Sequence, residues 1–219
     1  MQVFLETEQL LLRRFTRDDV DNLVELDSDP DVMRFINGGY PTPREMIQNR
    51  TLPRILRYYE PFTGFGFWAA IEKSTGEFLG WFHFRPAKAD DYLSKPFTGA
   101  GLDEVELGYR LRKAAWGKGY ATEGSRALIR KGFTELGVQR VIAFAYKDNI
   151  GSWRVMEKAG MKLVRTYRLT PAQMKALREY EYQGTSDDIW DGDDVEYALQ
   201  KSEWEQQEAA RLTAGQSSG

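Results

Sequence analysis

The chain has 219 residues, of which 42% are hydrophobic and 29% charged, a balance typical of a folded globular protein. Its 30 basic and 33 acidic residues give a net charge of −3, so the overall charge does not indicate a nucleic-acid or anionic-membrane partner. Without cysteine there can be no disulfide, thiolate metal site or acyl-cysteine intermediate, and a single histidine, His83, makes a Ser-His-Asp triad or a multi-histidine metal centre hard to build.

No stretch of the sequence approaches the apolar length that a membrane span needs, and residues 1–14 lack the basic-then-apolar order of a signal peptide. We therefore expect a cytoplasmic protein without a membrane partner. The pattern predicts one domain over residues 1–204, followed by a tail, residues 205–219, that begins as a helix and ends disordered.

Two extended segments, residues 3–8 and 10–15, open the chain. A helix is predicted to follow through about Asp27, because Thr16 provides an N-cap and the next residues form an acidic first turn. A short helix around residues 32–36 comes next.

The following helix is predicted to begin with a capping box formed by Thr42 and Glu45, with Pro43 at its first position, and to run to about Tyr59. Two aromatic-rich runs, residues 66–71 and 77–84, then read as a hairpin. Residues 86–102 form a long loop by composition, and loops of that length in compact domains are often functional.

The second half alternates between strand and helix patterns. The predicted elements are a strand over 105–111, a helix over 119–136, a strand over 140–145, a helix over 149–159 and a strand from 160. This order predicts a mixed α/β architecture with a central parallel pair. A helix over 170–181, an acidic loop over 186–194, a strand over 195–199, a helix over 203–211 and a mobile tail over 213–219 complete the prediction.

A glycine-rich turn, residues 116–121, leads from the strand into the helix. Gly117 and Gly119 let the backbone approach a ligand, and the unpaired amides and dipole of the helix start favour an anion such as pyrophosphate. Lys118 and Arg112 could add positive charge. A tight turn without a ligand is the alternative, and neither a nucleoside-triphosphate P-loop nor a dinucleotide fingerprint is completed here.

Four motifs in order point further: VELGY at 105–109, WGKGYATE at 116–123, NIGS at 149–152 and EKAGM at 157–161. Together they resemble the GNAT acetyltransferase superfamily, specifically its RimJ/RimL-type branch. Residues 7–13 are similar to the opening of that branch, Thr-x-Arg-Leu-x-Leu-Arg, with Gln9 at the arginine position. Ala114 stands where the superfamily has Gln or Arg.

The resemblance implies a single α/β domain, with a mixed, mostly antiparallel sheet whose central parallel strands splay apart, and flanking helices. Acetyl-CoA would lie in that gap as the acyl donor, with no metal. The residues implied to bind it are Leu107, Tyr109, Leu111, Arg112, Trp116, Gly117, Lys118, Gly119, Tyr120, Ala121, Asn149 and Ser152.

Transfer of an acyl group to an amine needs an uncharged nucleophile, whereas N-terminal amines have a pKa of about 8 and lysine-like amines about 10.4. Glu106 is the candidate base, provided that burial raises its pKa. The alternative is a carboxylate that is exposed to solvent or paired with an arginine. His83 is expected to be a packed, hydrogen-bonded imidazole rather than a catalytic group.

By resemblance, Ser152 is the candidate acid for the leaving thiolate, with an intrahelical or capping serine as the alternative. Tyr109 and Tyr146 are further phenols, expected mainly to pack. A backbone amide among residues 107–109 would stabilise the oxyanion. Because the chain has no cysteine, direct attack in a ternary complex is favoured over a covalent enzyme intermediate.

The acceptor stays open between a protein N-terminus and a small-molecule amine, and the donor could be a longer acyl-CoA such as succinyl-CoA. A non-catalytic acyl-CoA sensor is the second hypothesis, and a nucleotide-binding module is the third. The expected partners are a CoA ester and an amine, with a second copy of the chain as a candidate and no nucleic acid. The acidic segment 186–194 is expected to be solvated, because its spacing does not fit a calcium-binding EF-hand loop.

Overall fold

A computed structural model describes residues 2–87, 102–173 and 192–216. Its strands form one eight-stranded sheet in the order β1-β2-β3-β4-β5-β6-β8-β7. The strands are β1 (Val3–Glu6), β2 (Leu10–Arg13), β3 (Gly66–Glu72), β4 (Phe78–Pro86), β5 (Glu104–Leu111), β6 (Arg140–Tyr146), β7 (Lys162–Tyr167) and β8 (Asp194–Gln200). Within the described chain β5 and β6 form the one parallel pair, so the predicted mixed, mostly antiparallel sheet is confirmed.

Helices cover both faces of this sheet. They are α1 (Val20–Leu26), α2 (Pro30–Asn37), α3 (Arg44–Met46), α4 (Leu52–Arg57), α5 (Tyr120–Glu135), α6 (Ile150–Lys158) and α7 (Lys201–Gln216). A 3-10 turn, Arg17–Asp19, precedes α1, and a π-helical turn, Ile47–Thr51, joins α3 to α4.

Helix α5 packs closely on β4. Phe82 and Phe84 are fully buried beneath it, and a Cβ added at Gly124 or Gly132 of the helix would overlap their rings. These two glycines therefore let α5, the helix that connects the parallel strands β5 and β6, lie directly against the sheet. The α5 face of the sheet is a packed apolar core.

The other face of the central strands is more polar. Arg110 of β5 donates to Asp27 at the end of α1 over 2.7 Å, and its guanidinium also lies over the Trp81 ring. Arg85 of β4 donates to the phenol oxygen of Tyr58, just after α4, over 3.0 Å. The segments that end α1 and α4 are thus joined to β5 and β4 through partly buried arginines.

Some details differ from the sequence prediction. Thr16 forms a capping box with Asp19, as an N-cap at that position should, but the predicted capping box of Thr42 and Glu45 is wrong. Helix α3 begins at Arg44 with Pro43 at the N-cap position, where no side chain can cap it, and the Thr42 amide donates to the carbonyl of Asp27 at the end of α1.

At the C-terminal end, α7 continues to Gln216, through the start of the segment predicted as a mobile tail. Most of the predicted loop over 86–102, the helix over 170–181 and the acidic loop over 186–194 lies outside the described residues. Among the helices that the structure does describe, none combines the length and the hydropathy that crossing a bilayer requires.

Candidate functional site

The centre of the sheet contains a gap between β5 and β6. The two strands pair at Glu104 with Arg140, at Val105 with Val141 and at Glu106 with Ile142, and there the pairing ends. Both strands continue, β5 to Leu111 and β6 to Tyr146, without pairing to each other. The predicted splayed pair is therefore confirmed, and an extended ligand could lie between the two strands.

The glycine turn stands where β5 leads into α5. Gly117 and Gly119 have φ angles of 74° and 89°, a left-handed backbone that disfavours other residues. A Cβ added at either would meet nothing within 4 Å, so the space above the turn is open. Gly119 caps the 16-residue helix α5 with no side-chain hydrogen bond, and the first-turn amides therefore lack a capping side chain. This arrangement suits an anion.

Not every amide of the turn can serve a ligand. The Arg112 amide donates to the Leu79 carbonyl over 2.8 Å, and the amides of Ala115 and Trp116 donate within the 3-10 turn that precedes the glycines. These amides are already engaged, so of residues 112–121 only those at the glycine end, residues 117–121, are expected to contact pyrophosphate.

The cations near the turn are also fewer than the sequence indicated. The Arg112 guanidinium donates to Glu25 over 2.7 Å and lies over the Phe78 ring, so it is held at the end of α1. Lys118 is the cation that remains on the turn itself. Trp116 keeps 48% of its surface exposed beside the turn while its ring N–H donates to the Leu111 carbonyl.

Across the gap, β5 contacts the first turn of α6. The Tyr109 hydroxyl donates to the Ser152 carbonyl over 2.6 Å, and the Ser152 hydroxyl lies 3.3 Å from the same phenol oxygen. Burial raises the pKa of Tyr109, so the phenol keeps its proton. Asn149 caps α6 by accepting from the Ser152 amide over 3.3 Å. The sequence treated Tyr109 and Ser152 as separate candidates, whereas the structure makes them one hydrogen-bonded pair.

Glu106 lies on the opposite face, at the last β5–β6 pair. Its Oε2 lies 3.0 Å from Nη2 of Arg85, and its Oε1 lies 3.3 Å from Nε2 of His83. Burial by itself raises the pKa of Glu106, but attraction to His83 and Arg85 outweighs it and lowers the pKa to about 2. The expectation of a raised pKa is therefore wrong, because the two cations outweigh burial, and the arginine-paired alternative describes the residue.

His83 is packed, as predicted, in ring contact with Phe67 and Trp81. The sequence did not indicate its neighbours, because these depend on strand register: His83 pairs with Gly108, two positions along from the pair of Arg85 and Glu106. A Cβ at Gly108 would lie 2.5 Å from the imidazole, so glycine lets the ring rest over β5. Gly108 in the VELGY motif was the available signal.

The face that contains Glu106 extends over β6 and β8. Glu104 is paired with Arg140, and Glu196 with Arg165 over 2.7 Å. A further carboxylate, Asp194, lies on the same face at the start of β8, because it pairs with Tyr146 two positions beyond the pairing of Phe144 with Glu196. The sequence placed Asp194 only within the acidic loop.

No group of three or more His, Asp or Glu side chains in the described parts of the chain is arranged to hold a metal ion. The polar groups of the gap instead suit an elongated ligand with an anionic end at the glycine turn. Such a ligand would have its other end near Glu106, where the strands meet.

Comparison with known proteins agrees with this geometry. The family described as "Acetyltransferase (GNAT) domain" matches residues 9–162. A curated relative, FsC-acetyl coenzyme A-N(2)-transacetylase of Aspergillus fumigatus, is 30% identical over 213 residues, covering 97% of this chain and 82% of the relative.

Two solved structures extend the comparison. An acetyltransferase of the GNAT family from Bacillus anthracis is similar with a TM-score of 0.67 and 26% identity, covering 92% of this chain and 99% of that one. RimL, a ribosomal L7/L12 α-N-protein acetyltransferase in complex with coenzyme A, is similar with a TM-score of 0.65 and 16% identity, covering 91% and 98%. At that identity the second likeness shows the fold alone.

Proposed function

The chain belongs to the GNAT acetyltransferase family, and we propose that it transfers an acetyl group from acetyl-CoA to a primary amine by direct attack in a ternary complex. The single observation behind this proposal is the gap between β5 and β6, which leads from the carboxylate of Glu106 to the uncapped helix start beyond Gly119. A thioester held along that gap would present its acyl group where the strands meet and its phosphates at the glycine turn.

The donor would be held mainly by backbone groups. Pyrophosphate would accept hydrogen bonds from the amides of residues 117–121, with Lys118 adding charge. The pantetheine arm would run along β5 past Leu107, Tyr109 and Leu111. Trp116 is exposed beside the turn and Asn149 stands at the start of α6, so both would border the same groove. Arg112, at the start of the 3-10 turn that precedes the glycines, would border it at the end of β5.

We further propose the RimJ/RimL-type branch, on the opening motif at residues 7–13 and the fold shared with RimL. The name of the Aspergillus relative, with acetyl coenzyme A and N(2), supports acetyl as the acyl group and nitrogen as the acceptor. A protein N-terminus and a small-molecule amine both remain candidate acceptors. The cytoplasmic location and the homodimer stay predictions.

Glu106 is proposed as the carboxylate that receives the acceptor amine. With its pKa lowered to about 2, it is ionised whenever the protein is folded near neutral pH, so it attracts an ammonium group. It can accept the amine proton directly or through water, but it cannot retain the proton, which has to continue to solvent. Its main contribution is electrostatic positioning of the amine in front of the thioester.

On the other side of the gap, Ser152 is proposed to donate a proton to the leaving thiolate. Its hydroxyl donates to the Tyr109 phenol oxygen over 3.3 Å, which orients the hydroxyl, and the serine regains its proton from solvent. A backbone amide of residues 107–109 would stabilise the oxyanion on the thioester carbonyl. The amine nitrogen forms its bond to the acyl carbon as the carbon–sulfur bond breaks, and the products are an amide and free CoA.

Mass-spectrometric screening of an amine panel with acetyl-CoA and succinyl-CoA tests this function. The wild type should acetylate at least one amine and release free thiol, whereas Glu106→Gln should lose turnover and keep CoA binding. Thermal melts of both proteins control for folding, since Gln leaves Arg85 without its carboxylate. Binding of CoA without turnover of any amine would favour the sensor, and tighter binding of ATP or NAD than of CoA would favour a nucleotide module.

A further inference from the structure

Asp194 differs from the other carboxylates on its face of the sheet. Glu104, Glu106 and Glu196 each have an arginine partner on a neighbouring strand. Asp194 has none among the residues that the structure describes, and the Lys147 ammonium lies 3.8 Å from the carboxylate of the neighbouring Asp193. On this face of the described strands β5, β6 and β8, Asp194 is the one carboxylate without an arginine partner.

The environment of Asp194 makes the lack of a cationic partner unfavourable. Its Oδ2 is buried and has no hydrogen-bond partner in the described chain. Tyr146 faces it from β6, Tyr167 faces it from β7, and Asp193 adjoins it as a like charge. Burial, with a contribution from Asp193, raises the pKa of Asp194 to about 6. An ionised, half-buried carboxylate whose buried oxygen has no partner opposes folding, so a cationic ligand is a natural partner.

The same face connects Asp194 to the catalytic end of the gap. Burial raises the pKa of Tyr167 to about 12, and the negative charges of Asp194, Glu196 and Glu106 all add to this increase, while Arg165 opposes it. The Tyr167 phenol is therefore within electrostatic reach of both Asp194 and Glu106. An acceptor lying on this face would meet both carboxylates.

The two carboxylates are too far apart to bind one nitrogen. Asp194 pairs with Tyr146, four positions along β6 from Ile142, which pairs with Glu106. Four residues of strand span about 13 Å, and β8 is two strands, about 10 Å, from β5. A molecule whose reacting amine lies near Glu106 can reach Asp194 only with a second, distant group.

We propose that Asp194 binds a second ammonium group of the acceptor, which makes the acceptor an elongated diamine or polyamine. This inference depends on the proposed function for the amine that reacts near Glu106. Asp194 is a specificity-determining residue in this scheme and takes no part in the chemical step. Protonation of its carboxyl removes the charge that the second ammonium needs.

Calorimetry with CoA bound tests the inference without turnover, because CoA has no acyl group to transfer. The probes are diaminooctane and octylamine, which share a chain length and differ by one ammonium group. Wild type should bind the diamine about tenfold more tightly than the monoamine near neutral pH, as expected for one charged hydrogen bond. The preference should fall as the pH drops below about 6.

Asp194→Asn is the test variant, and Asp193→Asn is its matched control, which removes the neighbouring charge. Loss of the diamine preference in Asp194→Asn alone supports the inference. The inference is overturned if wild type and Asp194→Asn have the same ratio of diamine affinity to monoamine affinity. It is also overturned if wild type binds neither probe.

Acetylation assays keep the two proposals apart. If the variant and wild type acetylate octylamine equally and their diamine preferences do not differ, the transferase function holds and the role of Asp194 fails. If the preference depends on Asp194 but no amine is ever acetylated with acetyl-CoA, the diamine site stands and the proposed function fails.

Discussion

Arg85 and Glu106 are paired across β4 and β5, with Nη2 of the arginine 3.0 Å from Oε2 of the glutamate. The pair stands at the point where β5 leaves β6, so it fixes a negative charge at the closed end of the gap. Arg85 also donates to Tyr58, just after α4, over 3.0 Å, which links this charge to the helices that cover the same face of the sheet.

Removing the Arg85 charge should change the pH dependence of acetyl transfer. In Arg85→Gln burial still raises the pKa of Glu106, His83 still lowers it, and the contribution of Arg85 is gone, so the pKa should rise above its value of about 2. Glu106 would then lose its charge as the pH falls within the measurable range. We expect a new acidic limb in kcat/KM, measured from pH 4 to 9, that the wild type lacks.

The control for Arg85→Gln is Arg130→Gln, which removes a partly exposed ion pair with Glu208 between α5 and α7. Its pH profile should match that of wild type. An unchanged pH profile in Arg85→Gln, in a protein with a native circular dichroism spectrum, would show that the Glu106 charge does not govern the rate.

Gly119→Ala should weaken CoA binding. Alanine at this left-handed position costs about 1 kcal/mol of stability, and its methyl would occupy the open space above the turn where the phosphates are proposed to lie. We expect at least tenfold weaker CoA binding by calorimetry.

Gly76 is a matched control for Gly119, because its φ of 75° and open surroundings are nearly the same, and it lies in the β3–β4 hairpin away from the gap. Gly76→Ala should lose similar stability and bind CoA as wild type does. Equal CoA affinities in the two variants would place the phosphates elsewhere.

The glycine turn, the alternation of strands and helices in the second half of the chain, and the parallel pair could be predicted because each depends on local pattern. The pKa of Glu106 could not, because it depends on which residues of β4 face β5. His83 and Arg85 lie more than 20 positions earlier in the chain, and only the register puts both beside Glu106. Asp194 was missed for the same reason, since its loop-like composition hides its pairing with Tyr146 and Tyr167.

Ser152 and Tyr109 should act as one unit in catalysis. Ser152→Ala should lower kcat by about a hundredfold with little change in KM, because loss of the acid affects the thiolate as it leaves and not the bound substrates. Tyr109→Phe removes the phenol that touches both the Ser152 hydroxyl and carbonyl and should lower kcat similarly.

A double-mutant cycle on kcat checks this coupling. Since the Tyr109 phenol acts by orienting the Ser152 hydroxyl that it touches, the double variant should be little slower than either single variant. Additive losses would show that the two hydroxyls act independently. A thiol-release assay with a leaving group of lower pKa than CoA should partly rescue all three variants, which a purely structural defect would not show.

Asp194→Asn should stabilise the folded protein near neutral pH while it removes the proposed diamine preference. The folded pKa of about 6 is above the value of about 3.9 for an unfolded aspartate, so the native state binds the proton more tightly. The resulting stability is complete below the unfolded pKa and is lost as the pH rises through the folded pKa, so ionised Asp194 destabilises the protein above about pH 6. Asparagine cannot ionise, and the Tm of the variant should exceed that of wild type near pH 7.5 and equal it near pH 4.

Asp193→Asn should show a smaller gain in Tm than Asp194→Asn, because it only removes a neighbouring like charge. A lower Tm for Asp194→Asn at neutral pH would mean that the carboxylate already has a stabilising partner, whereas a higher Tm together with weaker diamine binding is the exchange of stability for binding expected at a ligand site.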